Sequence, residues 1–321
     1  MNHLSTYEHF LGFLKQCLPY YIVAMVAAET IYLLVRFKQA YSRENWVNII
    51  TGIVSIIVQA VIKTLFFTGL YPYVYEHRLW NLPLNRYTLL TGFLMYTFIQ
   101  FATHYLYHKV RIFWCLHEVH HSAIRMNSTT GLRTSIFDIV SLDLFYLLIP
   151  FTGIHYIVYF VLYSLNRIWG TFIHFNERVV SRIPVLEYVL VSPSAHHIHH
   201  ASNIQYLDRN YGEVVPWYDK LFGTYAVQNE KLTYGTLHVK HELGFWEAQL
   251  HEFRSLWRDV KQAEGTGIKI KYLLMPPGWR PGDESGTTHY LQKKYFGQLK
   301  EKSAAHSAAD IIKEKEFVES L

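Results

Sequence analysis

The chain has 321 residues, half of them apolar and only 17% charged, with a net charge of +5. Soluble proteins carry about a quarter charged residues, so this balance points to a membrane protein. The small and scattered positive excess excludes a nucleic-acid-binding role and fits contact with anionic lipid. The 25 Tyr and 8 Trp suit belts at a membrane interface. Two cysteines, Cys17 and Cys115, make no disulfide framework and fit a reducing compartment.

In chain order, Met1 to Gln16 lacks a basic segment leading to a small-residue cleavage site, so the first apolar stretch is expected to stay as an anchor. Residues 18–35 form a helix-length apolar run closed by Arg36 and Lys38. A second run covers 46–71, interrupted only by Asn48, Gln59 and Lys63, and a third covers 87–103. Residues 139–173 hold a long apolar stretch broken near Pro150, Gly153 and His155, enough for a tight hairpin of two helices. The expected fold is therefore all-α, a polytopic membrane bundle of four or five spans. With the Arg36, Lys38, Arg43 loop in the cytoplasm, the chain returns to that side at His104 and again at His174. Residues 174–272 carry no spanning segment, and turn signals at Tyr211-Gly212 and Phe222-Gly223 predict a cytosolic helical cap. Residues 273–321 read as a Pro/Gly-rich loop and a charged tail without chemistry of their own. No internal repeat is present.

Histidine is the informative residue. Eleven of the 19 histidines fall between 104 and 200, spaced as His104-x-x-x-His108, His117-x-x-His120-His121 and His196-His197-x-His199-His200. Positions i, i+3 and i+4 share one helix face, so each cluster can aim two or three imidazoles at one point. One such pair is more often packing than ligation. One His-x-x-His-His arises by chance with probability on the order of 0.1 at this histidine frequency, and the joint pattern far less often. Eight well-placed imidazoles exceed what one ion accepts, which predicts two metals in a shared cavity. Imidazole suits iron, zinc, copper or nickel, and ligand type alone does not choose among them. His197 neighbours His196, and adjacent helical residues diverge by about 100°, so a structural role is expected for it. Asp208, Asn210 and Asp219 are candidates to orient imidazoles through the free ring N–H, beside ordinary turn roles. His155 reads as core or loop.

At these residues the chain resembles the fatty acid hydroxylase and sterol desaturase superfamily. The stretches Phe113 to Ser122 and Leu186 to Leu190 resemble its alkylglycerol monooxygenase-like branch, and His199 to Asn203, Tyr206 to Gly212 and Trp217 to Thr224 resemble the segment after the last histidine box. The resemblance covers about residues 90 to 230, within a chain read as one hydroxylase-like membrane domain over 1–321. It implies ligand roles for His104, His108, His117, His120, His121, His196, His199 and His200, with His174 matching a further family histidine. The chain departs from the family at Thr97 and Tyr105, where Asp and Arg are frequent, and at Lys109, where the monooxygenase branch usually has an acidic residue.

The resemblance implies two iron ions, O₂ as oxidant and hydroxylation of a lipid C–H bond. It also implies an external reductant: tetrahydrobiopterin, cytochrome b5 or a ferredoxin-type donor. No Gly-x-Gly-x-x-Gly fingerprint and no fused haem or iron–sulfur domain is visible, in keeping with an outside electron source. The expected location is a multi-pass membrane position with the site facing the cytoplasm, in the endoplasmic reticulum of a eukaryote or the inner membrane of a bacterium. Two alternatives stand beside this reading. One is desaturation by the same site. The other is a non-catalytic membrane metalloprotein, for which Lys63 is the one obvious ionisable group within a span.

Overall fold

A computed structural model describes residues 3–39, 41–138, 143–301 and 303. The first apolar run becomes α1 (His3–Phe37), which tolerates Pro19 in its interior. Its Glu8–Phe37 segment is long and apolar enough to cross a membrane, and it is the one such helix among the described residues. The second run becomes α2 (Arg43–Leu65), continued by a π-helical turn at Phe66–Leu70 into α3 (Tyr71–Glu76). The side chain of Lys63 lies outside the described set.

Asn85 starts α4 (Arg86–Lys109) through a capping box, accepting from the backbone of Thr88 while the Thr88 hydroxyl meets the Asn85 N–H. The helix continues past the expected span at 87–103, so His104 and His108 ride on its last turns. Val110 breaks the helical backbone, and α5 (Arg111–His121) follows at once with the second histidine cluster. The two helices pack against each other across this break.

The hairpin expected over 139–173 is reshaped. Residues 139–142 lie outside the described residues; beyond them the chain makes a 3₁₀ turn (Asp143–Leu147) and the single turn α6 (Leu148–Phe151), and then the full helix α7 (Tyr156–Ile173). Pro150 and the positive φ of Gly153 end the first limb, since a Cβ at Gly153 would collide with the Trp80 carbonyl. His155 caps α7, its Nδ1 accepting from the Ile157 N–H. Short helices follow: α8 (Pro193–His199), α9 (Trp217–Phe222), α10 (Phe245–Gln262) and α11 (Thr266–Leu274). No strand occurs among the described residues beyond one isolated bridge, Arg280 to Asp283.

An aromatic and aliphatic core joins α3, α4, α6 and α7 through Tyr71, Tyr96, Ile99, Ile149, Ile157 and Tyr159, with Tyr71 stacked on Tyr159 at 4.9 Å. α1 lies along α7 and α2 holds the 3₁₀ turn Ser128–Leu132. A buried carboxylate ties these layers to the site. Glu29 of α1 accepts from the N–H groups of Ser128 at 2.7 Å and Asn176 at 2.5 Å. Replacing it with alanine strands the buried Ser128 donor, at a cost of about 1–3 kcal/mol, and the half-buried Asn176 donor. Glu29→Ala should make the 122–133 and 174–178 segments cleave faster in limited proteolysis of the membrane-bound protein. Wild-type resistance would show that α1 is not what secures them.

Candidate metal centre

Nine histidines converge as two groups. Group one is His104, His108, His117, His121 and His199; group two is His120, His174, His196 and His200, and within each group the candidate ligand atoms lie within 4.8 Å of one another. The groups share a wall, where the His121 and His200 rings stack at 4.4 Å. Helix geometry divides neighbours between them. His120 and His121 are adjacent in sequence and point about 100° apart, as do His199 and His200, so each pair supplies one ring to each group.

Ring protonation follows from the partners, because a carbonyl only accepts. His104 Nδ1 donates to the Tyr211 carbonyl at 2.6 Å, His120 Nδ1 to Arg133 O at 3.1 Å, His174 Nδ1 to Gly170 O and His199 Nδ1 to Arg209 O at 2.9 Å. Burial pushes the rings of His117, His120, His121, His196, His199 and His200 well below the ordinary imidazole range, reinforced by neighbouring rings, so they are neutral. Each ring that gives its Nδ1–H to a carbonyl then has a bare lone pair at Nε2. The Nε2 atoms of His120 and His174 face each other at 3.1 Å, acceptor against acceptor. No hydrogen bond satisfies that geometry, whereas a cation that takes both nitrogens as ligands would. His108 Nε2 and His199 Nε2 are likewise buried without a hydrogen-bond partner. The donor set fits nitrogen-ligated transition-metal ions, one to each group.

The residues around the rings hold their directions. Asp208 accepts from His108 Nδ1 at 3.3 Å and from Lys109 Nζ at 2.5 Å. Burial alone would raise its carboxyl, but these two partners hold it down at about 2. Asp219 acts one step away: it accepts from the N–H groups of Tyr211 and Gly212, and so presents the Tyr211 carbonyl to His104. Asn210 bonds no imidazole: its side chain donates to the carbonyls of Ala195 in α8 and Ala226 and accepts from the Ala226 N–H. Gly212 is required by close approach, because a Cβ there would meet the Val215 carbonyl at 2.4 Å. His197 turns away from both groups and donates Nε2–H to Phe175 O at 2.8 Å. Sequence reasoning missed the four carbonyl acceptors, which carry no side-chain signal, and it missed Arg133. That side chain is fully buried and donates to Val119 O, Asn48 Oδ1 and Ser122 Oγ, while its carbonyl accepts from His120.

Residues 89–224 match the fatty acid hydroxylase family, and all nine histidines fall inside that segment. This segment is a fatty acid hydroxylase domain. The fatty acid hydroxylase family is membrane-bound and iron-dependent, and it comprises oxidoreductases. Among its members the alkylglycerol monooxygenase of Homo sapiens is 30% identical over 285 residues, covering 87% of this chain and 62% of that protein. The alkylglycerol monooxygenase of Danio rerio is 32% identical over 191 residues, covering 58% of this chain and 40% of that protein. The Delta(7)-sterol 5(6)-desaturase of Eremothecium gossypii is 26% identical over 171 residues, 53% of this chain and 46% of that protein. The chain thus spans at most about three fifths of these relatives. No solved structure matches it.

In metal sites generally, a partner that fixes a ligand imidazole is worth about 10–100-fold in metal affinity. Asp208→Asn should therefore weaken the metal at group one by that factor and leave group two loaded. Competition with a graded chelator, read as metal retained per chain, tests this; equal loss from both groups would remove Asp208 from a specific role.

Proposed function

We propose that this protein is a multi-pass membrane monooxygenase that hydroxylates a C–H bond of a lipid with O₂ and an external reductant. Group one and group two would each hold one iron ion. Bound iron would supply the reductive activation of O₂ and the oxidising strength for C–H cleavage. The observation that carries the reading is the pair of Nε2 lone pairs of His120 and His174, set face to face in a buried site of the fatty acid hydroxylase family.

The chain's own part is geometric. The carbonyls of Tyr211, Arg133, Gly170 and Arg209 fix which ring nitrogen bears the proton, so the other stays free to ligate. Burial of the rings keeps bulk water from the reacting atoms. A cavity of about 100 Å³, lined by Trp114, His121, His199, Leu207 and Leu237, opens onto both groups. The spans at 18–35, 46–71, 87–103 and in the 139–173 region would bring the lipid tail alongside α4 and α7, with the histidines at the cytoplasmic side. Similarity to the alkylglycerol monooxygenases favours an ether lipid as substrate and tetrahydrobiopterin as reductant; cytochrome b5 or a ferredoxin-type donor would serve the same electron balance. Lys109 is tied up with Asp208, so the acidic position of the monooxygenase branch is replaced here by an ion pair.

Lipid analysis under ¹⁸O₂ in cells expressing the wild type or His120→Ala, with metal content measured on purified wild type, tests this function. A lipid gaining one labelled oxygen, dependent on His120, is the expected result. An unlabelled lipid with a new double bond would replace hydroxylation by desaturation. Metal binding with no histidine-dependent lipid change, donor supplied, would make the protein a non-catalytic metalloprotein.

A further inference from the structure

We propose that one edge of the expected cytosolic cap, residues 183–189 and α9, is embedded in the bilayer beside α4, with lipid as its occupant. The inference rests on the reading of α4 as a membrane span.

Depth along α4 sets the argument. Leu94 lies ten residues before His104, about 15 Å down the helix axis from the metal centre and inside the expected span. The cap reaches that depth. The Tyr218 hydroxyl donates to the Leu94 carbonyl at 2.9 Å, Tyr218 meets Phe98 edge-on at 5.3 Å, and Phe222 stacks on Phe101 at 5.4 Å. If residues 87–103 of α4 are in hydrocarbon, the residues touching Leu94, Phe98 and Phe101 share that level.

What α9 and its neighbour expose fits this position. Val185 is 79% exposed, Tyr188 73%, Leu221 74% and Phe222 56%, a contiguous apolar surface beyond what isolated exposed side chains would give. The two segments are stitched together, Trp217 Nε1 donating to the Tyr188 carbonyl and Lys220 Nζ to the Glu187 carbonyl. Lys220 also sits over the Tyr188 ring at 5.2 Å, and Arg182 is bound to Glu187 beside it. Trp, Tyr and a snorkelling Lys bordering an apolar face are the residue types of a membrane interface. The surface continues onto the exposed Tyr87, Leu90 and Leu94 of α4, so one lipid layer covers both.

Cysteine accessibility in open membrane fragments tests the proposal, in a Cys17→Ser background where Cys115 is buried. Val185→Cys and Leu221→Cys probe the edge, Leu90→Cys the exposed face of α4, and Glu284→Cys the exposed loop that follows the cap. A charged, water-soluble maleimide should modify Val185→Cys and Leu221→Cys at least about tenfold more slowly than Glu284→Cys, because the reagent is excluded from hydrocarbon. A diazirine-bearing phospholipid should label the wild-type peptides covering 183–189 and 217–222, a measurement that needs no variant to fold. Rapid reaction at Val185→Cys and Leu221→Cys with Leu90→Cys protected overturns the proposal and leaves the span intact. Rapid reaction at Leu90→Cys overturns the span itself. Protection without lipid labelling, with cross-linking between two chains, assigns the surface to a second copy and overturns the proposal.

Discussion

With one iron in each group, as proposed, His120→Ala should lower the iron content from about two ions per chain to about one and abolish the proposed lipid oxidation. Group two has four imidazoles and group one has five, so loss of one ring leaves group two with three, whereas group one would still have four. A structural zinc site with four ligands is worth about 10–16 kcal/mol, and on that scale one ligand carries about 3 kcal/mol, or roughly a hundredfold in affinity. The loss also removes one of the two ring nitrogens that face His174 Nε2 at 3.1 Å, leaving only His196 Nε2. His121→Ala supplies the contrast. It leaves four imidazoles in group one, and metal should be retained there under dialysis that empties group two of His120→Ala. Elemental analysis of both purified variants, beside ¹⁸O-labelled lipid product, reads out the difference. Full metal and full turnover in His120→Ala would sink the ligand assignment.

Arg133→Ala should cost more in folding than any single imidazole. The guanidinium is fully buried and meets Val119 O at 2.7 Å, Asn48 Oδ1 at 3.0 Å and Ser122 Oγ at 2.8 Å. Burial disfavours its charge, and the carboxylates of Glu44 and Glu118 work in the opposite direction. Removing a buried charged partner leaves acceptors unpaired and costs about 3–5 kcal/mol, a large share of the roughly 5–15 kcal/mol that holds a domain together. The C-terminal end of α5, which carries His117, His120 and His121, would lose its tie to α2 at Asn48. Arg133→Lys should recover little, because an ammonium cannot span three acceptors set out for a planar fork. The expected result is a loss of monodisperse protein in detergent and of thermal resistance for both variants. Wild-type stability in Arg133→Ala would show that the polar cluster is solvated in its absence.

The sequence by itself determined that histidine-rich helix faces exist and which histidines form most of them. Spacing at i, i+3 and i+4 is a local property of the helix, so His104 with His108, and His117 with His121, are legible without knowing where any other helix lies. The long apolar runs are local too, and α1, α2, α4 and α7 form where they were expected. The reshaped first limb at 143–151 follows from Pro150 and from the close approach of Gly153 to the Trp80 carbonyl, a contact between distant segments. Only the tertiary structure decided how the rings are shared out: His120 meets His174 and His200 across three elements, while its neighbour His121 turns to His199. It also chose Asp208 over Asn210 as the partner of an imidazole and supplied the carbonyls of Tyr211, Arg133, Gly170 and Arg209 as acceptors. Every residue has a carbonyl, so composition and spacing hold no mark of which one will face a ring. That choice belongs to packing, where backbone groups far apart in sequence are fixed within hydrogen-bond distance of side chains that need them.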